Sequence, residues 1–259
     1  MIRSLFSSAT GMQSQQMNLD VIANNLANVN TTGFKKSKIE FQDLLYENTR
    51  AAGSEQGAGN QLPTGVQVGH GSRAVATSRV FTTGELVNTG QDLDIAISGD
   101  GFFEVTLPDG TRGFTRDGAF KVASDGRIIT SDGLPVLGFL PKPPGTKNIT
   151  ISAGGDVTYT GATNTNFPVT LTRFNNPGGL EALGRNLFKE SPASGPPESG
   201  KPSENGFGEL AQGFIEMSNV NPVSEMTRLI EATRSYESHM QAIKTFQEVD
   251  DKTANYLAR

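Results

Sequence analysis

The chain of 259 residues contains no cysteine and only two histidines, His70 and His239. The absence of cysteine excludes a disulfide framework and thiolate zinc sites, and two scattered histidines give no basis for a metal centre. No apolar run is continuous enough for a cleavable signal peptide or long enough for a membrane span. We therefore expect no metal and no cofactor, and we expect any export to follow a route that reads no cleavable signal.

Basic charge is also scarce, because 22 lysines and arginines stand against 27 acidic residues and give a net charge of -5. Without a basic face, the chain has no surface suited to nucleic acid or to anionic lipid. No set of residues resembles a catalytic constellation, and the neighbouring carboxylates Asp92 and Asp94 are explained better by turn chemistry. We expect a protein that is not an enzyme and that has neither a small-molecule substrate nor a nucleic-acid partner.

Glycine and proline are almost missing from the two ends of the chain. Of 30 glycines only Gly11 and Gly33 lie in the first fifty residues, and none follows Gly213. Both ends instead carry apolar residues at heptad spacing, which is typical of a coiled-coil seam. At the N-terminus the two seam positions are Ile2, Ala9, Gln16, Ala23 and Leu5, Met12, Leu19, Leu26. At the C-terminus they are Met226, Thr233, Met240, Gln247, Ala254 and Leu229, Tyr236, Ile243, Asp250, Leu257.

The C-terminal segment is predicted to be one long helix. Asn221 can cap it, Pro222 suits its first position, and no glycine or proline follows to end it. At about 1.5 Å per residue this helix would reach roughly 55 Å, more than a compact domain of this size needs. Spacing alone leaves open an amphipathic helix that docks on its own core, but the segregated composition favours a seam for self-assembly.

The N-terminal helix is expected to end in an asparagine-rich run, with Gly33 as its C-cap. The run either simply ends the helix or offers amides for hydrogen bonds between subunits. The lysines that follow, Lys35, Lys36 and Lys38, are interpreted as a solvated face.

The middle of the chain predicts β structure. Residues 47–72 are polar and glycine-rich, and we interpret them as an extended arm. Short alternating segments follow, and Asp-Gly pairs at Asp100, Asp109, Asp117, Asp125 and Asp132 separate them as hairpin turns. Residues 175–208 are interpreted as a loop-rich return, and Gly213–Met217 as a last strand.

The predicted fold class is α+β, with a central all-β domain of short antiparallel strands and terminal coiled-coil helices that form one discontinuous helical domain. The expected division is 1–46 for the N-terminal helical half, 47–72 for the arm, 73–214 for the outer β domain and 215–259 for the C-terminal helical half.

Two motifs resemble the paired terminal signatures of the axial proteins of the bacterial flagellum, the rod, hook and hook-associated proteins. They read ANNLANVNTTGFKK near the N-terminus and SNVNPVSEMTRLI near the C-terminus. The residues that carry the motifs are Asn24, Asn25, Leu26, Asn28, Gly33, Phe34, Ser218, Asn219, Val220 and Pro222. The segments LPTGVQVGHGSRAVATSRVF and DLDIAISGDGFFEV are similar to the distal-rod branch in particular.

The resemblance implies a non-enzymatic subunit of the rigid distal rod, which crosses the periplasm in the basal body and transmits motor torque to the hook. Implied partners are further copies of the chain, proximal-rod proteins, the hook protein, the surrounding periplasmic and outer-membrane rings, and the flagellar type III export gate. The arm would stiffen the rod. A proximal-rod protein remains an alternative within the family, and a secreted β-domain adhesin that oligomerises through its helices is an alternative outside it.

Overall fold

A computed structural model describes residues 2–50, 64–161 and 165–257 of the chain. Helix α1 spans Ile2–Ala27 and helix α2 spans Pro222–Leu257. Between the helices lie short strands with antiparallel pairing, which confirms the α+β class at this level. The strands are β1 Ser37–Asp43, β2 Tyr46–Arg50, β3 Val66–Gly69, β4 Ser72–Arg79, β5 Leu86–Asn88, β6 Ile95–Ser98, β7 Phe103–Thr106, β8 Arg112–Thr115, β9 Lys121–Val122, β10 Ile128–Ile129, β11 Asn148–Ile151, β12 Asp156–Thr160, β13 Thr165–Pro168, β14 Leu171–Arg173, β15 Glu181–Gly184, β16 Leu187–Lys189, β17 Glu198–Gly200, β18 Glu209–Gln212 and β19 Phe214–Glu216.

The chain divides into two compact units. The first unit contains Met1–Leu26, Ser37–Ser78 and Pro222–Arg259, and the second contains Ala27–Lys36 and Arg79–Asn221. The chain therefore passes from one unit to the other four times. No helix in the described ranges is both long and apolar enough to cross a membrane.

The first unit contains two strand pairs in addition to the two helices. Strand β1 pairs with β4, and β2 pairs with β3 so that Tyr46 lies opposite Gly69 and Arg50 opposite Val66. The predicted arm thus has a paired strand at each end, while its residues 51–63 lie outside the described part of the chain. Strand β1 occupies residues that we had included in the N-terminal helical half.

The helix boundaries agree with the sequence at α2 and differ at α1. Helix α2 begins at Pro222 and continues to Leu257 without a break, as predicted. Helix α1 ends at Ala27, so the prediction that Gly33 is its C-cap was wrong. Residues 28–30 form a turn in which the Thr31 N–H donates to the Asn28 carbonyl at 3.2 Å. Gly33 has a positive φ of 65°, and a Cβ there would lie 2.6 Å from the Asp117 nitrogen. This position therefore needs glycine for a close backbone approach.

The second unit is built from antiparallel strands around an apolar core. Its four-stranded sheet has the order β15-β16-β8-β7, and β11, β12 and β13 form a three-stranded meander. Three of the Asp-Gly pairs, at Asp109, Asp125 and Asp132, lie in tight turns between paired segments, as predicted. At Gly118 the reason for glycine is different, because a Cβ would lie 1.8 Å from the Ile95 carbonyl oxygen.

The predicted loop-rich return, residues 175–208, was wrong because it contains three short strands, β15, β16 and β17. These strands pair with each other or with distant segments: Phe188 lies opposite Phe114, and Glu198 lies opposite Arg173. Because such strands are stabilised by long-range partners, their local sequence shows little periodicity. The predicted last strand was correct, since β19 pairs with β5.

Candidate assembly surface

Helices α1 and α2 pack against each other in antiparallel orientation. The Asn25 Nδ2 lies 3.5 Å from the Glu225 Oε2, and a Cβ on Gly11 would lie 2.9 Å from the Cε1 of His239. Asn25 and Gly11 are fourteen residues apart on α1, and their partners are fourteen residues apart on α2 in the opposite direction. The two contacts therefore fix one register for the whole pair.

The two contacts that define the helix pair, Asn25 with Glu225 and Gly11 with His239, involve small or polar residues. We call their heptad positions the packed line; it contains Ser4, Gly11, Asn18 and Asn25 on α1, and Glu225, Ala232, His239 and Phe246 on α2, and each of these residues is buried or half-buried. Ser14 faces the strands instead, because its hydroxyl donates to the Ser72 carbonyl at 3.4 Å. Glycine at position 11 lets the His239 ring rest on the α1 backbone, where a larger side chain would clash.

Six of the predicted seam residues lie one position after this packed line. Leu5, Met12, Leu19 and Leu26 each follow a packed residue of α1 and are half-buried. In α2, Met226 is 51% exposed and Met240 is 40% exposed. Leu229, Tyr236 and Ile243 are half-buried, and the side chains of Ile2 and Leu257 lie outside the described part of the chain.

These residues share one side of the helix pair. In an antiparallel pair, the residues that directly follow the contact positions lie on the same side of the pair in both helices. The half-buried leucines of α1 and the exposed methionines of α2 therefore form one continuous surface. We call this surface the apolar face, and its residues are Leu5, Met12, Leu19, Leu26, Met226 and Met240.

Exposed apolar side chains are concentrated in the first unit. Of the eighteen large apolar residues that are exposed among the described positions, only five belong to the second unit, namely Val87, Val122, Leu137, Leu140 and Leu183. The other thirteen lie on the helices and strands of the first unit. An apolar surface of this kind marks an interaction site.

The asparagine motif of the N-terminal segment forms hydrogen bonds within the chain. The buried Asn25 Nδ2 donates to the Ser37 carbonyl at 2.9 Å, and the Ser37 N–H donates to the Asn25 Oδ1 at 2.9 Å. The Asn28 Oδ1 accepts a hydrogen bond from the Thr31 hydroxyl at 3.2 Å. Of the two interpretations left open by the sequence, Asn25 therefore belongs to the local one: it fixes the chain where α1 ends.

The C-terminal motif has an equivalent amide in the second unit. The Asn219 Oδ1 accepts from the Lys36 N–H at 2.8 Å, and its Nδ2 donates to the Val80 carbonyl at 2.8 Å. Val220 and Phe34 are also buried. Each lies close in sequence to a point where the chain passes from one unit to the other. The motif residues thus bind backbone at the points where the chain enters and leaves the β domain.

A buried charge cluster lies beside these motifs in the second unit. The Lys35 Nζ is 2.6 Å from the Glu216 Oε1, and the Arg116 NH1 is 3.5 Å from the Glu216 Oε2. Desolvation by burial lowers the pKa of Lys35, although Glu216 opposes the change by favouring the charged form. The interpretation of Lys35 as part of a solvated face was wrong. Its partner is 181 residues away, and no local sequence pattern marks such a pair.

The residues described above provide apolar packing and hydrogen bonds to the backbone. Within residues 2–50, 64–161 and 165–257, no group of three or more histidine, aspartate and glutamate side chains is placed to hold a metal ion. The strongest features are the apolar face and the amides that fix the chain beside it.

Comparison with known protein families identifies three matching regions. Residues 5–35 match "Flagella basal body rod protein", residues 96–159 match "Flagellar hook protein FlgE/F/G D1 domain", and residues 211–256 match "Flagellar basal body rod FlgEFG protein C-terminal". The first and third regions cover the residues of the two asparagine motifs, and the second contains part of the core of the β domain.

Similar proteins match over nearly the whole chain. The flagellar basal-body rod protein FlgG of Borreliella burgdorferi is 46% identical, with 95% of each chain covered. The protein of the same name from Caulobacter vibrioides is 43% identical over 98% of each chain. The one from Bacillus subtilis is 38% identical over 98% of this chain and 99% of the relative. The chain therefore belongs to the FlgG family of flagellar basal-body rod proteins, which are structural proteins and not enzymes.

Proposed function

We propose that the chain is a structural subunit of the distal rod and that it polymerises through the apolar face of its helix pair. The single observation that carries this proposal is that the residues in contact between the helices differ from the apolar residues that remain accessible beside them. Asn25 with Glu225 and Gly11 with His239 form the contacts between the helices, while leucines of α1 are half-buried and Met226 and Met240 of α2 are exposed beside them. A monomer gains nothing from such exposure, but a polymer buries the face at every subunit.

The helix pair would act as the inner, discontinuous helical domain of the polymer, and the β domain would lie outside it. Residues 1–46 and 215–259 supply its two halves, and in the polymer the apolar faces of neighbouring pairs would pack as a coiled coil. The grouping of both helices in one compact unit supports this proposal. The apolar face runs along both helices, which favours lateral contacts along a tube over a single terminal contact.

The remaining partners follow from family membership. The relatives carry the name basal-body rod protein, and one matching family is described as a hook protein domain. We propose that this chain contacts proximal-rod proteins below, the hook protein above and the rings around the rod that spans the periplasm. We also propose that it reaches its site through the flagellar type III export gate without a cleavable signal.

The proposal is tested by truncating one residue of the apolar face in each helix. Leu26→Ala and Met240→Ala each delete a side chain whose full burial is worth roughly 1.5 to 3 kcal/mol, and the loss recurs at every subunit. We expect each variant to raise the critical concentration for polymerisation by at least about tenfold in sedimentation assays. The thermal transition of the β domain should not change.

Leu183→Ala is a matched control, because Leu183 is an exposed leucine in β15 of the second unit. This variant should polymerise like the unmodified chain. If the two helix variants polymerise normally as well, the apolar face is not the assembly surface.

A further inference from the structure

The first unit contains a second apolar surface, which is distinct from the apolar face. It is a groove of about 340 Å³ between α1 and the β1-β4 pair, and it is lined by Met17, Asp20, Val21, Ile39, Ala74, Val75, Ala76 and Thr77. Val75 is 56% exposed. Met17 precedes Leu19 by two residues, which places it about 160° around the helix from the apolar face. The groove and the apolar face therefore lie on different sides of α1.

Helix α2 carries a short row of exposed apolar side chains near its start. Val223 is 71% exposed and Ile230 is 52% exposed, with Met226 between them. Their spacing of three and four residues places the three side chains in one row over two turns. Met226 lies about 100° around the helix from the packed residue Glu225, so the row faces to one side of the contact with α1. We call Val223, Met226 and Ile230 the α2 ridge, which shares Met226 with the apolar face.

Opposite charges stand beside the two surfaces. Asp20 is at the groove, and Arg234 follows Ile230 by one turn of α2. Both side chains are exposed, and neither forms an ion pair within the described part of the chain. If the α2 ridge of another copy enters the groove, Arg234 can approach Asp20 and fix the direction of the ridge.

We propose that the groove binds the α2 ridge of a second copy of the chain. The proposal rests on the function proposed above and adds a specific pair of surfaces to it. Because the groove and the ridge are different patches, the contact is heterologous, and each copy offers a free groove at one side and a free ridge at the other. Such a contact can repeat from copy to copy, and it builds a helical polymer when the rotation between copies does not close a ring.

The absence of cysteine makes a disulfide test free of background. Val75→Cys in the groove and Ile230→Cys in the ridge are placed together in one full-length chain, and the assembled protein is oxidised. A disulfide forms only when the two Cα atoms approach within about 7 Å. We expect a ladder of covalent trimers and longer chains on a non-reducing gel, while either single variant gives no product larger than a dimer.

Two results would overturn the proposal. The first is polymer in which the double variant shows no ladder, since the groove and ridge would then be apart although the chain assembles. The second is an equal ladder from a control pair, Val75→Cys with Val249→Cys, in which Val249 is exposed on the same helix far from the ridge. Normal polymer in either case leaves the apolar face as the assembly surface and removes only the groove contact.

A charge exchange gives an independent test in the same polymer. Asp20→Arg and Arg234→Asp each place like charges together, and we expect each to raise the critical concentration by about threefold to fivefold. The double variant restores the pair in reverse and should return close to the unmodified value. Additive effects in the double variant would show that the two side chains do not meet.

Discussion

At the scale of single residues, the buried carboxylate of Glu216 faces more than one positive charge. It faces two cations, Lys35 and Arg116, and all three side chains are almost completely buried. Its Oε1 also accepts the Gly84 N–H at 2.8 Å, and the Lys35 Nζ donates to the Thr82 carbonyl at 2.6 Å. The buried cluster therefore holds two cations and one anion, while Asp100, a second acid that favours the charged form of Arg116, is exposed.

This charge imbalance predicts that replacing Glu216 lowers the free energy of unfolding more than replacing Lys35 does. Glu216→Gln leaves two buried cations without a buried counter-charge, and we expect it to lower the free energy of unfolding of the β domain by about 3 to 5 kcal/mol. Lys35→Met leaves one cation with one anion and should cost less than about 2 kcal/mol. Urea denaturation followed by circular dichroism measures both.

The exposed pair of Arg173 and Glu198 provides the control, because Glu198→Gln should change stability by less than about 1 kcal/mol. Equal losses from Glu216→Gln and Lys35→Met would contradict the excess of positive charge in the cluster.

The sequence identified the motif residues but not what they bind. Asn25 and Asn219 stand out by composition, yet their hydrogen bonds go to the backbone of Ser37, Lys36 and Val80, which no side-chain pattern reveals. Lys35 is the opposite case, since nothing in its neighbours distinguishes a buried lysine from an exposed one. Burial at this site is decided by strands far away in the chain.

At the scale of elements, α2 is longer than the helix that supports it. In the observed register the start of α1 lies opposite residue 248 or so of α2, and every residue in the range 247–253 is exposed. The last two to three turns therefore project beyond their partner. A helix without tertiary contacts is marginal in water, so this end must be stabilised by a neighbour.

We therefore expect hydrogen exchange in a dilute monomer to divide α2 in two. Amides in the range 226–246 should exchange slowly, and those after 248 should exchange within the dead time of a manual experiment. Polymerisation should protect both parts. Uniform protection along α2 in a verified monomer would contradict the observed register.

The heptads predicted both helices, and Asn221 with Pro222 predicted the beginning of α2. Apolar spacing selects Leu5, Met12, Met226 and Met240, which belong to the apolar face, and their role in assembly stays a prediction. The packed line runs one residue earlier and includes Gly11 and Ala232. Small side chains carry no hydrophobic signal, although they are what allows two helices to approach closely.

At the scale of the whole molecule, the polar arm has a paired strand of the first unit at each end. Strands β2 and β3 bring Arg50 opposite Val66, so the two ends of the arm are held together. Residues 51–63 between them lie outside the described part of the chain. The arm has few apolar residues, so any stiffness it gives to a rod must come from contacts with neighbouring subunits.

Deletion of Ala51–Asn60 tests the contribution of the arm. Five residues would still connect β2 to β3, which is enough for a hairpin. We expect a folded protein that is exported and polymerises, but whose polymer is more curved or flexible than the unmodified one. Persistence length measured by electron microscopy is the readout, and an equally straight polymer would make the arm a passive connection.

The contact between Asn25 and Glu225 also determines when the two helices can pair during synthesis of the chain. The two residues are 200 positions apart, and α1 has no helical partner until the second of them has been made. At the usual rate of about 5 to 20 residues per second, a ribosome needs roughly 10 to 40 seconds to cover that distance. During this interval the first helix is present, but the two-helix surface is not. The surface shared by the two helices therefore forms only near the end of synthesis.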